Sequence, residues 1–451
     1  NGRQTGRPKE ASFVPGSGGT GHAFCGRRHA ATRKHMALAP CESPSSPGSI
    51  RMLFLPRESF PTDRVDVDVL FARELARRGH CIDFVMQARD HSVPTGRQTW
   101  NGRTVWIGPT DCGDGFLHRL RRHWLAFVHD VRSLRHARRP AYEAIQVRDK
   151  YLIAFLAVLV ARARGLKFFY WLSFPESESQ LLRARDRSAR YPRLAWIRGK
   201  VYAFLLYRWI LPLSDHVFVQ SQRMKEDVCA RGARPSRVTP VPMGIDPGMV
   251  RRFGRRDRSR GGHFVTLVYL GVIAAERRLD VLVDMLALLR RDGADVRLLI
   301  VGDAKSPEER LELERRAQAL GLDAYLRITG FLPREQALAR AAAADIGLSP
   351  IFPTPVFLPA SPTKLVEYLA LGLPVVANDH PEQRLVLRET RAGVCIPWGA
   401  RHFARAVRWL MRRTPQEREA MASRGRAWVE ANRTYTRIAD ALERQYVELL
   451  S

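Results

Sequence analysis

Lysine, acidic residues, cysteine and long apolar runs are all scarce in this chain, and each shortage excludes something. No stretch reaches the about 18 uninterrupted apolar residues that a membrane-spanning helix needs. The longest, Tyr151 to Ala161, ends in Arg162, and Val201 to Leu213 is broken by Arg208. The start shows no charged–apolar–small-residue pattern of a secretory leader. Six cysteines, Cys25, Cys41, Cys81, Cys112, Cys229 and Cys395, show neither metal spacing nor a paired framework, so a reducing cytoplasm is the expected compartment. Asp and Glu number 45 against 74 Lys and Arg, nearly all of them arginine, for a formal net charge of +29. That balance suits an anionic partner: nucleic acid, an anionic membrane face or a phosphorylated substrate. Codon composition alone would also enrich arginine.

What is present is ample apolar residue and a regular alternation of elements. With 451 residues, 45% hydrophobic, the chain is long enough for two domains with real cores. Residues 1–49 are rich in Gly, Pro, Ser, Arg and His, without periodicity, and read as a disordered tail. Its Gly16-Ser17-Gly18-Gly19-Thr20-Gly21 has no strand before it and no apolar helix after it, so the match to a dinucleotide fingerprint reads as chance. The chain does not begin with Met, and Met36 and Met52 stand before or at the first strand. From Met52 to Leu55 a strand is expected, then a helix with Val65, Val69, Ala72 and Ala76 on one face, then a strand from Cys81 to Met86. Further strands are expected at 144–147, 168–172 and 216–220, with a helix over 151–162. After a linker near 240–260 the pattern restarts, with strands at 265–269, 296–301, 325–328, 346–348, 374–377 and 393–396 and helices between them, including 279–290 and 307–320. The expectation is α/β: two doubly wound Rossmann-like domains with parallel sheets, 50–240 and 241–434, facing across a cleft, with a last helix in 435–451 packing back on the first domain.

The segment richest in chemistry is Ser361-Pro362-Thr363-Lys364-Leu365-Val366-Glu367, running on through Gly372 to Val376. Ser361 reads as a helix N-cap, Pro362 as the first helical residue and Gly372 as the stop. Such a helix start aims unsatisfied N–H groups at the cleft, and Thr363 and Lys364 add a hydroxyl and a cation there, which suits a pyrophosphate. Glu367 lies one turn deeper on the same face, where a carboxylate can accept two bonds from a ribose diol. An ordinary capped helix with a Lys–Glu surface pair would look the same if seen alone.

Several blocks in order settle the context: Ser361 to Val376, Asp215 to Met224, Pro242-Met243-Gly244-Ile245-Asp246, Tyr269-Leu270-Gly271 with Glu276-Arg277, Val301-Gly302-Asp303 and Gly330-Phe331-Leu332-Pro333. With these the chain resembles family 4 (group 1) glycosyltransferases of the GT-B fold over roughly residues 52–450. The resemblance implies a retaining, hexosyltransferase-like enzyme that takes its sugar from a nucleotide-diphosphate sugar, with no further cofactor and no metal. It implies Arg277 and Lys364 as catalytic cations on the leaving pyrophosphate. Gly271, Ser361 and Thr363 would line the phosphates, Gly330, Phe331 and Leu332 the nucleobase, and Glu367 the ribose. The sequence departs from the family in four places: Val272 stands where a second basic residue is common, Pro359 where the first of two paired glutamates would fall, the region around Ser173 lacks a histidine, and Pro56 to Arg64 lacks a Gly-Gly. The loop Thr354 to Ser361 would then meet the sugar by backbone groups. Asp66-Val67-Asp68 formally matches a metal-binding DxD, but inside a first-domain helix it reads as a solvated face.

Two basic-aromatic stretches remain. Phe116 to His129 places Leu117, Leu120, Trp124 and Val128 at helical spacing among cations, and Tyr191 to Leu213 carries Trp196, Arg198, Lys200, Tyr202, Tyr207, Arg208 and Trp209. Contact with an anionic membrane surface is the favoured reading over packing on the domain. The expected partners are therefore a nucleotide sugar, a carbohydrate or lipid-linked acceptor of envelope polysaccharide or glycolipid synthesis, and the inner face of the plasma membrane. A nucleic-acid-binding protein competes on charge alone, since no recognition motif appears, so no nucleic acid is expected. A donor-binding protein of the same fold without catalysis competes through Pro359 and Ser173.

Overall fold

In the computed structural model, residues 49–253, 264–304 and 306–451 are described. The expectations for the tail, including its glycine run, and for the linker beyond residue 253 lie outside the described residues. All described residues fall in one compact unit.

The first sheet contains β1 (Arg51–Leu55), β2 (Ser59–Phe60), β3 (Cys81–Ala88), β4 (Gly96–Trp100), β5 (Arg103–Gly108), β6 (Ala144–Arg148), β7 (Lys167–Leu172), β8 (His216–Val219) and β9 (Val238–Pro240). Its order is β4-β5-β3-β1-β6-β7-β8-β9, with β2 beside β3. All pairings are parallel except the β4–β5 hairpin. A strand buried on both faces sends alternate side chains into two cores. Leu53 and Leu55 join Ile145, Val147 and Tyr170 on one face. Met52 and Phe54 join Phe84, Phe169 and Trp171 on the other.

The second sheet contains β10 (Val265–Leu270), β11 (Val296–Val301), β12 (Leu326–Ile328), β13 (Ile346–Ser349), β14 (Val375–Asn378) and β15 (Gly393–Ile396) in the order β12-β11-β10-β13-β14-β15, all parallel. Helices cover both faces. The last helix, Tyr435–Leu450, lays Tyr435, Ile438, Leu442 and Tyr446 into the first sheet's core. Arg78 holds its outer face through Asp440 and Glu443, each at 2.6 Å.

Sequence periodicity located the inner strands but not β2, β4, β5 and β9. β2 and β9 are short and β4 lies at the edge, where exposed polar residues blur the period; β5, inside the sheet, alternates buried and half-buried residues behind Arg103 and Thr104. The helix after β1, Asp66–Leu75, is wound in π register. Its Asp66 corrects the solvated-face reading: it is buried, 3.1 Å from Arg64 and 2.8 Å from Arg148. The wide turns direct it inward, and two cations offset its desolvation, holding its carboxyl below the usual range. Asp68 pairs with Arg73 at 2.6 Å.

Candidate donor site

The helix Thr363–Ala370 begins outside the carboxyl ends of the second sheet, where open α/β sheets hold ligands. It ends as its sequence dictates. Gly372 has φ +71°, its N–H reaches Leu369 O (3.0 Å), and the Leu373 N–H reaches Tyr368 O (2.9 Å), turning the chain straight into β14.

Its start differs from the expectation. Pro362 occupies the cap position and no side chain caps the helix. Ser361 Oγ instead accepts the Met243 N–H at 2.9 Å. That amide comes from the segment joining the two halves and would otherwise be a buried unpaired donor. One residue earlier but one, the Pro359 carbonyl accepts from Ser221 Oγ at 2.6 Å. The loop before the helix is thus tied to the first half, and the Pro359 and Phe357 carbonyls are already occupied, the latter by His380 Nε2 at 3.0 Å. The first-turn N–H groups have no side-chain cap, which leaves them to an anion.

Lys364 folds back over the loop after β10. Its Nζ stands 5.4 Å from the Tyr269 ring centroid. A Cβ at Gly271 would lie 2.6 Å from Lys364 Cε, a side-chain end that could move aside, but the φ of +147° strains any residue other than glycine there. Gly302 (φ +148°), at the end of β11, stacks equally closely: a Cβ there would lie 2.1 Å from Gly271 O. Gly302 in turn bridges to Gly330. Three strand-end loops therefore form a backbone shelf beside the lysine. Arg277 lies in the turn Ala275–Arg277 that follows. Burial, with the Arg277 cation second, pulls the Lys364 ammonium down to about 7, while Glu367 acts the other way. The Glu367 carboxylate is engaged by Arg334, so a diphosphate would bring these two cations further negative charge.

Glu367 is buried, and Arg334 Nη2 donates to its Oε1 at 2.9 Å. The carboxylate is not free in this state, and its partner is not Lys364. Arg334 was missed because it stands 33 residues away; its only sequence signal is its place directly after Gly330-Phe331-Leu332-Pro333. Tyr368 was also missed: its buried Oη accepts the Leu270 N–H at 2.6 Å and fixes the helix to the end of β10. Thr363 is half-buried, Leu332 packs beside the core, and Phe331 is 69% exposed. Gly271, Lys364, Arg277, Glu367 and the Gly330 loop surround the helix start.

The first half presents a different surface. Helix Phe116–Ser133 exposes Phe116, Leu117, Leu120 and Trp124 (63%), and helix Pro192–Leu205 exposes Leu194, Trp196, Ile197 and Phe204. A groove of about 800 Å³ lined by Phe116, Tyr191, Leu194 and Arg193 joins them. These helix-borne apolar side chains are each more than half exposed. Among the described residues no helix is long and apolar enough to cross a membrane.

Comparison with known proteins gives the same division. Residues 70–244 match the profile described as "Glycosyl transferase 4-like domain", and residues 265–413 match "Glycosyl transferases group 1". A GDP-mannose-dependent alpha-(1-6)-phosphatidylinositol dimannoside mannosyltransferase of Mycobacterium tuberculosis is 32% identical over 190 residues, 41% of this chain and 46% of that protein. The chain spans about half the length of the curated relatives it matches. Sucrose-phosphate synthase from Thermosynechococcus elongatus superposes with a TM-score of 0.68 at 16% identity, covering 88% of this chain and 99% of its own. Anabaena Alr3699/HepE in complex with UDP gives 0.62 at 16%, covering 88% and 100%. The chain belongs to the family 4, group 1 glycosyltransferases, and its fold is GT-B.

Proposed function

We propose that the protein transfers a hexosyl group from a nucleotide-diphosphate sugar to a hydroxyl of a carbohydrate or lipid-linked acceptor in glycolipid or envelope polysaccharide synthesis. The observation that carries this is the pair of like charges, Lys364 and Arg277, on a glycine shelf at an uncapped helix start. The relatives' names agree in class: one is GDP-mannose-dependent, and a structural neighbour is bound to UDP. Transfer breaks the bond from C1 to the β-phosphate oxygen and forms one from C1 to the acceptor oxygen, whose proton passes to the departing phosphate. Lys364, Arg277 and the helix N–H groups meet the charge that grows on the leaving group. We read the reaction as metal-independent on that account, and as retaining by family membership.

Gly330 to Leu332 hold the base and Glu367 the ribose once Arg334 yields. The exposed aromatic and basic helices of the first half rest on an anionic bilayer, at the inner face of the plasma membrane. A thermal-stabilisation screen of GDP-mannose, UDP-glucose and their nucleotides tests the donor reading. Stabilisation by at least one nucleotide sugar, lost in Lys364→Met, supports it; a flat screen overturns it.

A further inference from the structure

We infer that a cavity on the second sheet, between its outer strands and the helix Arg334–Ala342, binds a small organic phosphate through Arg297, Arg327 and Arg340, and that its occupant tightens donor binding. The coupling rests on the donor reading above; the cavity site does not.

The cavity follows from the sequence. Side chains alternate along a strand, so Arg297 and Leu299 of β11 share a face. Thr266 of β10 stands in register with Arg297, and Arg327 of β12 with Leu299, which brings two cations onto that face. The covering helix is short and ends in Ala341-Ala342-Ala343-Ala344, whose methyl groups leave the sheet edge unfilled. A space of about 460 Å³ remains, with Arg340 on the helix side and Leu299, Leu326 and Leu332 in its apolar lining. That volume lies in the range of small-molecule sites. β12 is the outermost strand, so its outer backbone groups meet no further strand and are open to a ligand's hydroxyls. The far end, at Thr266 and Arg297, lies by the amino ends of β10 and β11, opposite the glycine shelf.

The charge in the cavity is one-sided. Nearby arginines are paired, Arg290 with Asp295 at 3.0 Å, Arg310 with Glu314 at 2.9 Å and Arg316 with Asp284 at 2.7 Å, but among the described residues Arg297, Arg327 and Arg340 form no ion pair. Asp345, beside Thr266, already accepts the Thr266 N–H at 2.8 Å. Arg297 Nε donates to Thr266 Oγ1 at 2.8 Å, which fixes the guanidinium and leaves its terminal nitrogens to an anion. Three arginines without an acid suit phosphate, and the leucines suit an organic body attached to it.

The same cavity touches the donor site from behind. Thr329 and Leu332 line it. Thr329 Oγ1 accepts the Gly302 N–H at 3.2 Å and donates to Gly330 O at 2.8 Å, so it ties two loops of the glycine shelf. The covering helix begins at Arg334, which holds Glu367. An occupant against Thr329 orders the shelf in advance and leaves less for the nucleotide to order.

The test is calorimetry with glycerol 3-phosphate, phosphoenolpyruvate and fructose 1,6-bisphosphate. The proteins are the wild type, Arg327→Gln with Arg340→Gln, Lys364→Met, and a control of equal charge, Arg388→Gln with Arg401→Gln. All four arginines are exposed, so both double variants should fold; if the first does not, Arg297→Gln replaces it. At least one probe should bind the wild type, Lys364→Met and the control alike, and bind the cavity variant about tenfold or more weakly. Inorganic phosphate should bind the wild type about tenfold more weakly than that probe. Binding by no probe, equal loss in the control, loss in Lys364→Met with retention in the cavity variant, or inorganic phosphate equal to the probes overturns the site. Flotation with anionic vesicles should be the same for wild type and cavity variant; a difference assigns the cavity to a lipid headgroup and overturns a soluble ligand. With the probe at saturation, UDP or GDP should bind about fivefold tighter, and unchanged affinity overturns the coupling. Absent nucleotide binding with intact probe binding sinks the donor reading and the coupling but leaves the cavity site standing.

Discussion

The lowered Lys364 makes donor binding a proton-linked event, and both its sign and its size follow from the site. In the free protein the ammonium titrates at about 7 instead of its ordinary 10.5. A diphosphate on the glycine shelf adds negative charge beside the ammonium and returns it toward the ordinary value. Between those two values the complex holds a proton that the free site has lost. Affinity is therefore full well below pH 7, half lost at pH 7, and falls toward about tenfold per unit above it, about fiftyfold from pH 7 to pH 9. The ligand does not obscure this, since a terminal phosphate has finished ionising by then, with its second pKa about 6.

The linkage has an opposite face in the free protein. The folded state holds fewer protons at Lys364 than the unfolded chain between pH 7 and 10.5, so this site adds stability as pH rises, at most about 1.4 kcal/mol per unit. The assay is calorimetric titration with UDP and GDP in two buffers of different ionisation heat. At pH 8 the wild type should take up close to one proton per site, and Lys364→Met should bind more weakly with no such uptake. Uptake near zero in the wild type, or the same uptake in Lys364→Met, refutes the reasoning.

Glu367→Gln should weaken donor binding by about 1.5–3 kcal/mol, since the charge that accepts the ribose hydroxyls is lost, and should lower the melting temperature slightly because the pair with Arg334 goes with it; unchanged affinity by calorimetry sinks the ribose assignment. Gly302→Ala should cost about 2–4 kcal/mol in denaturant unfolding, because the backbone lies at φ +148° and a Cβ would meet Gly271 O at 2.1 Å; a neutral result means the shelf can shift. Transfer activity should survive EDTA, and loss restored by Mg²⁺ or Mn²⁺ would contradict the cation-based reading of Lys364 and Arg277. Vesicles rich in anionic lipid should float the protein at low salt and release it at high salt, each basic residue at the surface adding about 1 kcal/mol; Arg121, Arg122 and Trp124 replaced together should abolish flotation, and a wild-type protein that stays in solution ends the membrane reading.

What the sequence showed, it showed through local chemistry. The inner strands are continuous apolar runs, and Gly372 ends its helix through bonds within six residues, so both are legible one segment at a time. Lys364 and Gly271 could be singled out for the same reason: a cation in a first helical turn and a glycine after a strand are local features that suit a phosphate. Failure began wherever a side chain chose a distant partner. Ser361 has the composition of a cap, but the Met243 amide, 118 residues away in sequence, competes for the same oxygen and holds it. Asp66 has the spacing of a solvated face, but Arg148 reaches it from the end of β6. Glu367 stands out in its own segment, but the Arg334 that engages it, 33 residues away, does not.

These three failures share a location. Each falls where segments far apart in sequence meet at the carboxyl ends of a sheet, and in an open α/β fold that is also where ligands bind. Local reading fails there because the site is assembled by topology, and a residue placed by topology carries no trace of its partner in its own neighbourhood. A residue whose local reading is plain but whose structural partner is remote is therefore a candidate for function in this fold. By that criterion Arg148 and Asp66 stand beside Glu367 and Arg334: a buried ion pair joins elements 82 residues apart at the ends of the first sheet, as Arg334 and Glu367 do for the second.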